Sequence, residues 1–326
     1  MKVSKMGERK LVELAKRVFK TPRSVKVGIG DDGAVISLGK HELVVTTDML
    51  ASGTDFPSGT TPFHMGWKAV VANLSDLAAM GARPLGILFS LGLPGSLERE
   101  FVEELLRGMK RSAEEHGTYV IGGDFGESPE VTICGTAVGK IEDGKALKRS
   151  GAKPGDLLAI TGEPGCAAAG LEILNLKMKG HRKLVESFLK PRARLREGVI
   201  LARRGWATSA IDVSDGLIRD LWNLSKGSGV KLVLERGKIP VSPALLRLTS
   251  KLGRSAWDFV LYGGEDFELI FTVSPRRWND VERMLGKLGT KVSVVGRVEK
   301  GRGVFLQEDG KTMRVRDFGY EHFTHG

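Results

Sequence analysis

Aspartates set beside glycine, serine or threonine recur through the first two-thirds of the chain: Gly30-Asp31-Asp32-Gly33, Thr46-Thr47-Asp48, Asn73-Leu74-Ser75-Asp76, Gly122-Gly123-Asp124 and Asp212-Val213-Ser214-Asp215-Gly216. A small neighbour leaves the carboxylate oxygens free to reach a shared ligand. Carboxylates brought together repel one another unless a cation lies between them, and hard cations such as Mg2+ take oxygen ligands. Histidine and cysteine are scarce, 6 and 2 residues, which favours magnesium or manganese over zinc. The chemistry these residues predict is magnesium-dependent handling of phosphate. Singly, each acid has an ordinary role open to it: a helix cap for Asp212 or Asp215, a turn for Asp31-Asp32-Gly33, a solvated helix position for Asp76. Capping does not call for two aspartates around one strand-to-helix junction. Nor does it call for Gly-Gly before an acid, as at Gly122-Gly123-Asp124 and again at Gly263-Gly264-Glu265-Asp266.

The elements that must position these residues read as a mixed α/β protein. Residues 11–19 have helical periodicity, and 34–38 and 43–47 alternate as strands around a turn at Gly39-Lys40-His41-Glu42. A helix over 66–80, closed by Gly81, carries Val70, Leu74 and Leu77 on one stripe, with Asn73 and Asp76 sharing another face. A strand at 87–91 precedes a long helix over 96–116, with Ser96 as the expected N-cap and Gly117 as the stop. Strands follow at 119–122 and 131–138. The turn-rich run Arg149-Ser150-Gly151-Ala152-Lys153-Pro154-Gly155-Asp156 marks a boundary, so the expected domains are 1–148 and 149–326. Beyond it come a strand at 157–161, a helix at 166–176, a strand at 209–213, a helix at 216–226 and a strand at 269–273.

Composition excludes several classes. At 326 residues, 41% hydrophobic and 27% charged, the chain can bury a sizeable core. No apolar run reaches membrane-spanning length, and the charged first twenty residues lack a signal-peptide core. Cys134 and Cys166 cannot form a disulfide framework and read as buried free thiols of a cytoplasmic protein. The net charge of +11 would suit a nucleic-acid binder, but the basic residues are dispersed and aromatics, at 6%, do not interleave with them. A diffuse positive field that draws in polyanionic small molecules fits the aspartates better. The run Gly28-Ile29-Gly30-Asp31-Asp32-Gly33 matches the dinucleotide fingerprint, yet it leads into a strand where the pyrophosphate needs a helix N-terminus. Two adjacent acids would also face that pyrophosphate, and the dinucleotide reading fails.

Taken in order, Gly30-Asp31-Asp32, Thr46-Thr47-Asp48, Gly66-Trp67-Lys68-Ala69, Asn73-Leu74-Ser75-Asp76, Gly122-Gly123-Asp124, Asp212-Val213-Ser214-Asp215-Gly216-Leu217 and Gly263-Gly264-Glu265-Asp266 resemble the thiamine-monophosphate kinase family, within the aminoimidazole ribonucleotide synthetase superfamily. The resemblance runs from about Gly28 to Phe323. It implies a two-domain α/β fold of that superfamily's type, with an N-terminal ATP- and metal-binding domain whose strands pair into a barrel in a homodimer. The implied reaction moves the γ-phosphate of ATP onto thiamine monophosphate, giving thiamine diphosphate and ADP. Its nucleophile is a phosphate oxygen that is already anionic, so no general base is needed. Repulsion between the two polyanions is the obstacle, and metal-borne charge is its remedy.

By the same resemblance, Asp32, Asp48, Asp76, Asp124 and Asp212 hold Mg2+, with oxygens from Thr46 and Thr47, while Asp215 holds a further Mg2+ on the nucleotide phosphates. Asp31 adjoins that set. Gly122, Gly123, Ser214 and Arg149 contact ATP, and Glu265 contacts the thiamine moiety. Three positions depart from the family. Asp55 stands where histidine is frequent and either contacts substrate or adds a metal ligand. Tyr320, in Gly319-Tyr320-Glu321-His322-Phe323, stands where tryptophan is frequent and can still lie against a cationic thiazolium. Leu106 replaces an aromatic that some members place near ATP. Of the sister enzymes, a selenophosphate synthetase would carry a reactive cysteine in an N-terminal glycine-rich loop, and this chain has none before Cys134. An aminoimidazole ribonucleotide synthetase lacks the motif seen here as Gly-Gly-Glu-Asp-Phe-Glu-Leu. A magnesium-dependent phosphohydrolase would release phosphate without an acceptor. A nucleic-acid binder would show steep salt dependence and no ATP turnover.

Overall fold

The computed structural model describes residue 3 and residues 6–320; Glu321, His322 and Phe323 of the C-terminal motif lie outside them. The first half comprises α1 (Glu8–Val18), β1 (Val25–Val27), β2 (Ala34–Leu38), β3 (His41–Ala51), α2 (Pro62–Ala79), β4 (Arg83–Leu93), α3 (Arg99–Glu115), β5 (Val120–Glu127) and β6 (Thr132–Ile141). Their strands form one sheet in the order β1-β2-β3-β6-β4-β5, antiparallel except where β4 and β5 run parallel. The second half comprises β7 (Leu157–Thr161), α4 (Cys166–Asn175), α5 (Arg182–Leu189), α6 (Leu195–Arg203), β8 (Ala207–Asp212), α7 (Leu217–Ser228), β9 (Lys231–Glu235), α8 (Pro243–Leu252), α9 (Ala256–Tyr262), β10 (Leu269–Val273), α10 (Trp278–Lys287), β11 (Val292–Glu299), β12 (Gly303–Glu308) and β13 (Lys311–Arg314). Its sheet runs β13-β12-β9-β11-β7-β10-β8.

One helix joins the two halves. Thirteen of the 18 residues of α2 are buried, far more than one amphipathic stripe would bury. Its sides meet α3, the N-terminal sheet, α6 and β8. Two glycines make these crossings close. A Cβ on Gly66 would overlap the Leu105 carbonyl of α3, and one on Gly198 of α6 would overlap the Ala78 carbonyl of α2. A single apolar cluster therefore runs from Val70, Leu74 and Leu77 to Leu269, Phe271 and Val281 of the second half.

Several elements differ from their sequence reading. The 66–80 helix begins earlier, at Pro62, because Thr61 caps it by accepting the His64 N–H and Pro62 fits the first turn. Ser96 is not the N-cap of α3; that position is Glu98, with no side-chain cap bond. The strand read at 119–122 continues to Glu127, so Gly122-Gly123-Asp124 lies within β5. Parallel pairing with β4 carries it through both glycines, and a Cβ on Gly123 would overlap the Phe89 carbonyl. Of the two free thiols, Cys166 is buried and Cys134 is half-buried, because Cys134 faces outward from β6.

Candidate active site

The acidic residues gather where the top of the N-terminal sheet meets α2 and the strand-to-helix junction after β8. Strand parity decides which face of β3 they use. Val44 and Thr46 point inward and are buried, whereas Thr47 and Met49 point outward and are exposed. Asp48, two residues after Thr46, follows the inner row, and its N–H donates to Asn73 Oδ1 of α2 at 3.2 Å. Thr46 Oγ1 bonds the Asp76 carboxylate and lies 3.0 Å from the Asp32 carbonyl oxygen. Asp212, at the end of β8, accepts from Ser75 Oγ at 2.6 Å.

Asp32, Asp76 and Asp212 each present an oxygen within 4.8 Å of the others. Such a group is electrostatically unfavourable as three bare carboxylates. Burial first and Asp32 second raise Asp48 to about 6 and Asp212 to about 7. Burial together with Asp48, Asp212 and Asp32 pushes Asp76 well above the ordinary carboxylate range. The Arg149 guanidinium offsets part of this charge, reaching Asp32 Oδ1 from Nε and Nη2 at 3.0 and 2.6 Å. Asp32 Oδ2 is buried with no hydrogen-bond partner. An orphan oxygen among crowded carboxylates is the donor set a hard cation requires, so these residues fit Mg2+.

The turn after β8 is shaped by an acid that the sequence reading did not single out. Asp220, fully buried in α7, accepts the Ser214 and Asp215 N–H groups at 3.2 Å each. Burial, then Asp215 and Asp212, drives its carboxyl well upward. Asp215 does not cap α7: the cap position is Gly216, with no side-chain bond.

Two cavities meet at this turn. One, of about 500 Å3, lies between α1 and α7 and is lined by Gly30, Asp31, Arg149, Ser150 and Asp215 together with residues of both helices. The other, of about 490 Å3, includes Asp48, Asp55, Ser214, Asp215, Glu265 and Tyr320. No lysine, arginine or histidine is among the described residues lining this second cavity. Asp215 belongs to both walls. Asp55 is partly committed to its own loop, its Oδ2 accepting from Ala51 N–H and Thr54 Oγ1 at 2.8 and 2.7 Å. Tyr320 is anchored by its N–H to the Asp215 carbonyl at 3.0 Å.

Family models match both halves of the chain: AIR synthase related protein, N-terminal domain, over residues 30–141, and the corresponding C-terminal domain over 153–309. The thiamine-monophosphate kinase of Pyrococcus horikoshii is 37% identical over 301 residues, covering 91% of this chain and 92% of that protein. The Aquifex aeolicus protein of the same name is 35% identical over 99% of this chain and 100% of its own length. A solved structure described as AaThiL complexed with AMPPCP and TMP superposes with a TM-score of 0.88 at 34% identity, covering 99% of each chain. The chain belongs to the thiamine-monophosphate kinase family.

Within this family member, the residues expected at the site fall into two groups. Asp32, Thr46, Asp48, Asp76, Asp212, Ser214, Asp215 and Arg149 converge around the acid cluster, and Asp55, Glu265 and Tyr320 line the second cavity. Thr47 and Asp124 do not join them. Thr47 Oγ1 donates to the Gly135 carbonyl at 2.7 Å and faces outward. Asp124 is opposite Ser90 in register and exposed on the edge strand, with Gly122 and Gly123 beside it. Leu106 is 41% exposed on α3 and lines neither cavity. Sequence reasoning missed Asp220, Lys68 and the cavity residues Phe56 and Phe188. Lys68 stood within the Gly66-Trp67-Lys68-Ala69 motif, but a lysine in a helix reads as a solvated charge.

Proposed function

We propose that this chain catalyses ATP-dependent phosphorylation of thiamine monophosphate to thiamine diphosphate, by direct in-line transfer. The observation that carries this reading is the meeting of two cavities at a cluster of buried, mutually repelling carboxylates. The α1–α7 cavity, with Arg149 and the Gly30-Asp31 turn, suits the nucleotide, where a fixed guanidinium complements phosphate oxygens. The acid-lined cavity suits an acceptor with a cationic ring, which Tyr320 can face. Asp32, Asp48, Asp76 and Asp212 would hold Mg2+, with Thr46 fixing Asp76, and Asp215 would serve the nucleotide phosphates from its place in both walls. Bound there, Mg2+ supplies the positive charge that lets two polyanions approach. The bond between the γ-phosphorus and the β,γ-bridging oxygen breaks as one forms to an acceptor phosphate oxygen, and ADP leaves. No proton need move in this step.

Edge strand β5 supports a homodimer. All eight of its residues are exposed, and Ile121 and Phe125 are 58% and 62% exposed. An unpaired apolar edge invites a second strand. The expected metal and ATP roles of Thr47, Asp124, Gly122 and Gly123 require that second copy, because these residues lie on the outer face or edge of their own sheet. We place the domain boundary at 148/149 and the protein in the cytoplasm, where ATP is supplied and free thiols persist.

The deciding assay follows ADP and thiamine diphosphate from ATP and Mg2+, with and without thiamine monophosphate. Both products should appear together and only with the acceptor. Acceptor-independent ATP turnover would move the chain to a sister activity, and no turnover would return the aspartates to structural roles.

A further inference from the structure

An ammonium group that the phosphate chemistry does not use lies just behind the acid-lined cavity. Lys68 of α2 has a side chain 3% exposed and pairs with Glu265 Oε1. Its Nζ donates to the Asp55 carbonyl at 2.9 Å and stands 4.4 Å from the centroid of the Phe188 ring and 5.4 Å from that of Phe56. A buried ammonium is costly unless it is paired. Here it ties together three segments: α2, the loop carrying Asp55 and Phe56, and the Gly263-Gly264-Glu265 loop of the second half.

The loop it grips is strained. Glu265 and Phe267 adopt φ of +65° and +50°, a region that side chains other than glycine rarely occupy. The backbone is pinned by Glu265 N–H to the Ser214 carbonyl and Phe267 N–H to the Val213 carbonyl, each at 2.8 Å. Those bonds fix where the Glu265 Cα lies, not where its carboxylate points. Lys68 supplies the second constraint.

We infer that Lys68 is a positioning residue for acceptor selection: by holding Glu265 through Oε1 it keeps that carboxylate at the cavity wall, facing the cationic ring of the acceptor. The inference rests on the function proposed above. Two effects of Lys68 oppose each other. Its own charge repels a cation, while its tether keeps an attracting carboxylate in place. The ammonium is outside the cavity lining whereas its partner Glu265 is part of it, so the attracting carboxylate is the nearer charge, the tether outweighs the repulsion and removing Lys68 weakens acceptor binding.

Lys68→Met keeps the length and the contacts with Phe56 and Phe188 while removing the charge. Its KM for thiamine monophosphate should rise about tenfold or more, with kcat and the KM for ATP within about threefold of wild type. The inhibition constant of the phosphorylated hydroxyethylthiazole, whose ring is neutral, should stay unchanged. Glu265→Gln should show the same pattern, and the double variant should be no worse than Glu265→Gln alone. A KM for thiamine monophosphate that is unchanged or lower, an equal weakening of the neutral analogue, or additive effects would overturn the inference. If Lys68→Met fails to fold by circular dichroism, Lys68→Gln carries the same cycle with the same outcomes. Wild type failing to form thiamine diphosphate would instead remove the function itself.

Discussion

Asp32 is held at one oxygen by Arg149 and has an idle, buried second oxygen. Around it, Asp48 and Asp212 are raised from 3.8 to about 6 and about 7. Because these groups bind protons more tightly folded than unfolded, the stability they contribute is complete below about pH 3.8 and is lost as pH rises through about 6 and 7. A cation among them reverses that loss, and it must displace bound protons to enter. The rise in Tm on adding Mg2+ to chelator-treated protein should therefore be larger at about pH 8 than at about pH 5, as scanning calorimetry would read. Asp212→Asn should flatten this difference and cut turnover by orders of magnitude while the fold survives. An equal Mg2+ effect at both pH values in the wild type would mean that the acids do not share an ion.

At the scale of elements, α2 is the part on which the site depends. It supplies Asn73, Ser75 and Asp76 to the cluster and Lys68 to Glu265 of the cavity wall, and it can do so because glycines let its neighbours approach. Gly66→Ala places a methyl group against the Leu105 carbonyl, so α2 and α3 must separate. Overpacking of this kind costs about 1–3 kcal/mol. Urea unfolding should show a loss of that order, with turnover reduced as well, because the displaced helix carries Asp76. A Gly66→Ala variant as stable as wild type would show that the crossing has slack. The motif around Gly66 was visible in the sequence, but the reason for its glycine was not, since the partner carbonyl is 39 positions away in the chain.

For the whole molecule, assembly is the main expectation. If β5 pairs with a second copy, the wild type should sediment at twice its 35.3 kDa, and Ile121→Asp with Phe125→Asp should sediment as a monomer of unchanged helix content. The same variant should lose Mg2+-dependent turnover if Asp124 serves the site across the interface. A wild-type monomer by sedimentation would remove the edge-pairing argument.

The acids, their small neighbours and their order were legible because such chemistry is written in residue type, and strands 157–161 and 269–273 because a continuous apolar run needs no partner to be recognised. Helix starts were less so, as at Ser96, because a cap depends on the backbone bond it makes. Only the tertiary structure decided which acids come together. Thr46 and Thr47 are neighbours in sequence, yet the period of a strand sends one into the cluster and the other to the opposite face. Arg149 is expected at ATP by resemblance, but only the fold sets it against Asp32, and Lys68 reads as a solvated helix residue until two loops close over it. Side-chain type fixes what a residue is able to do, whereas burial and distance, which arise from contacts far apart in the chain, determine whether it does so.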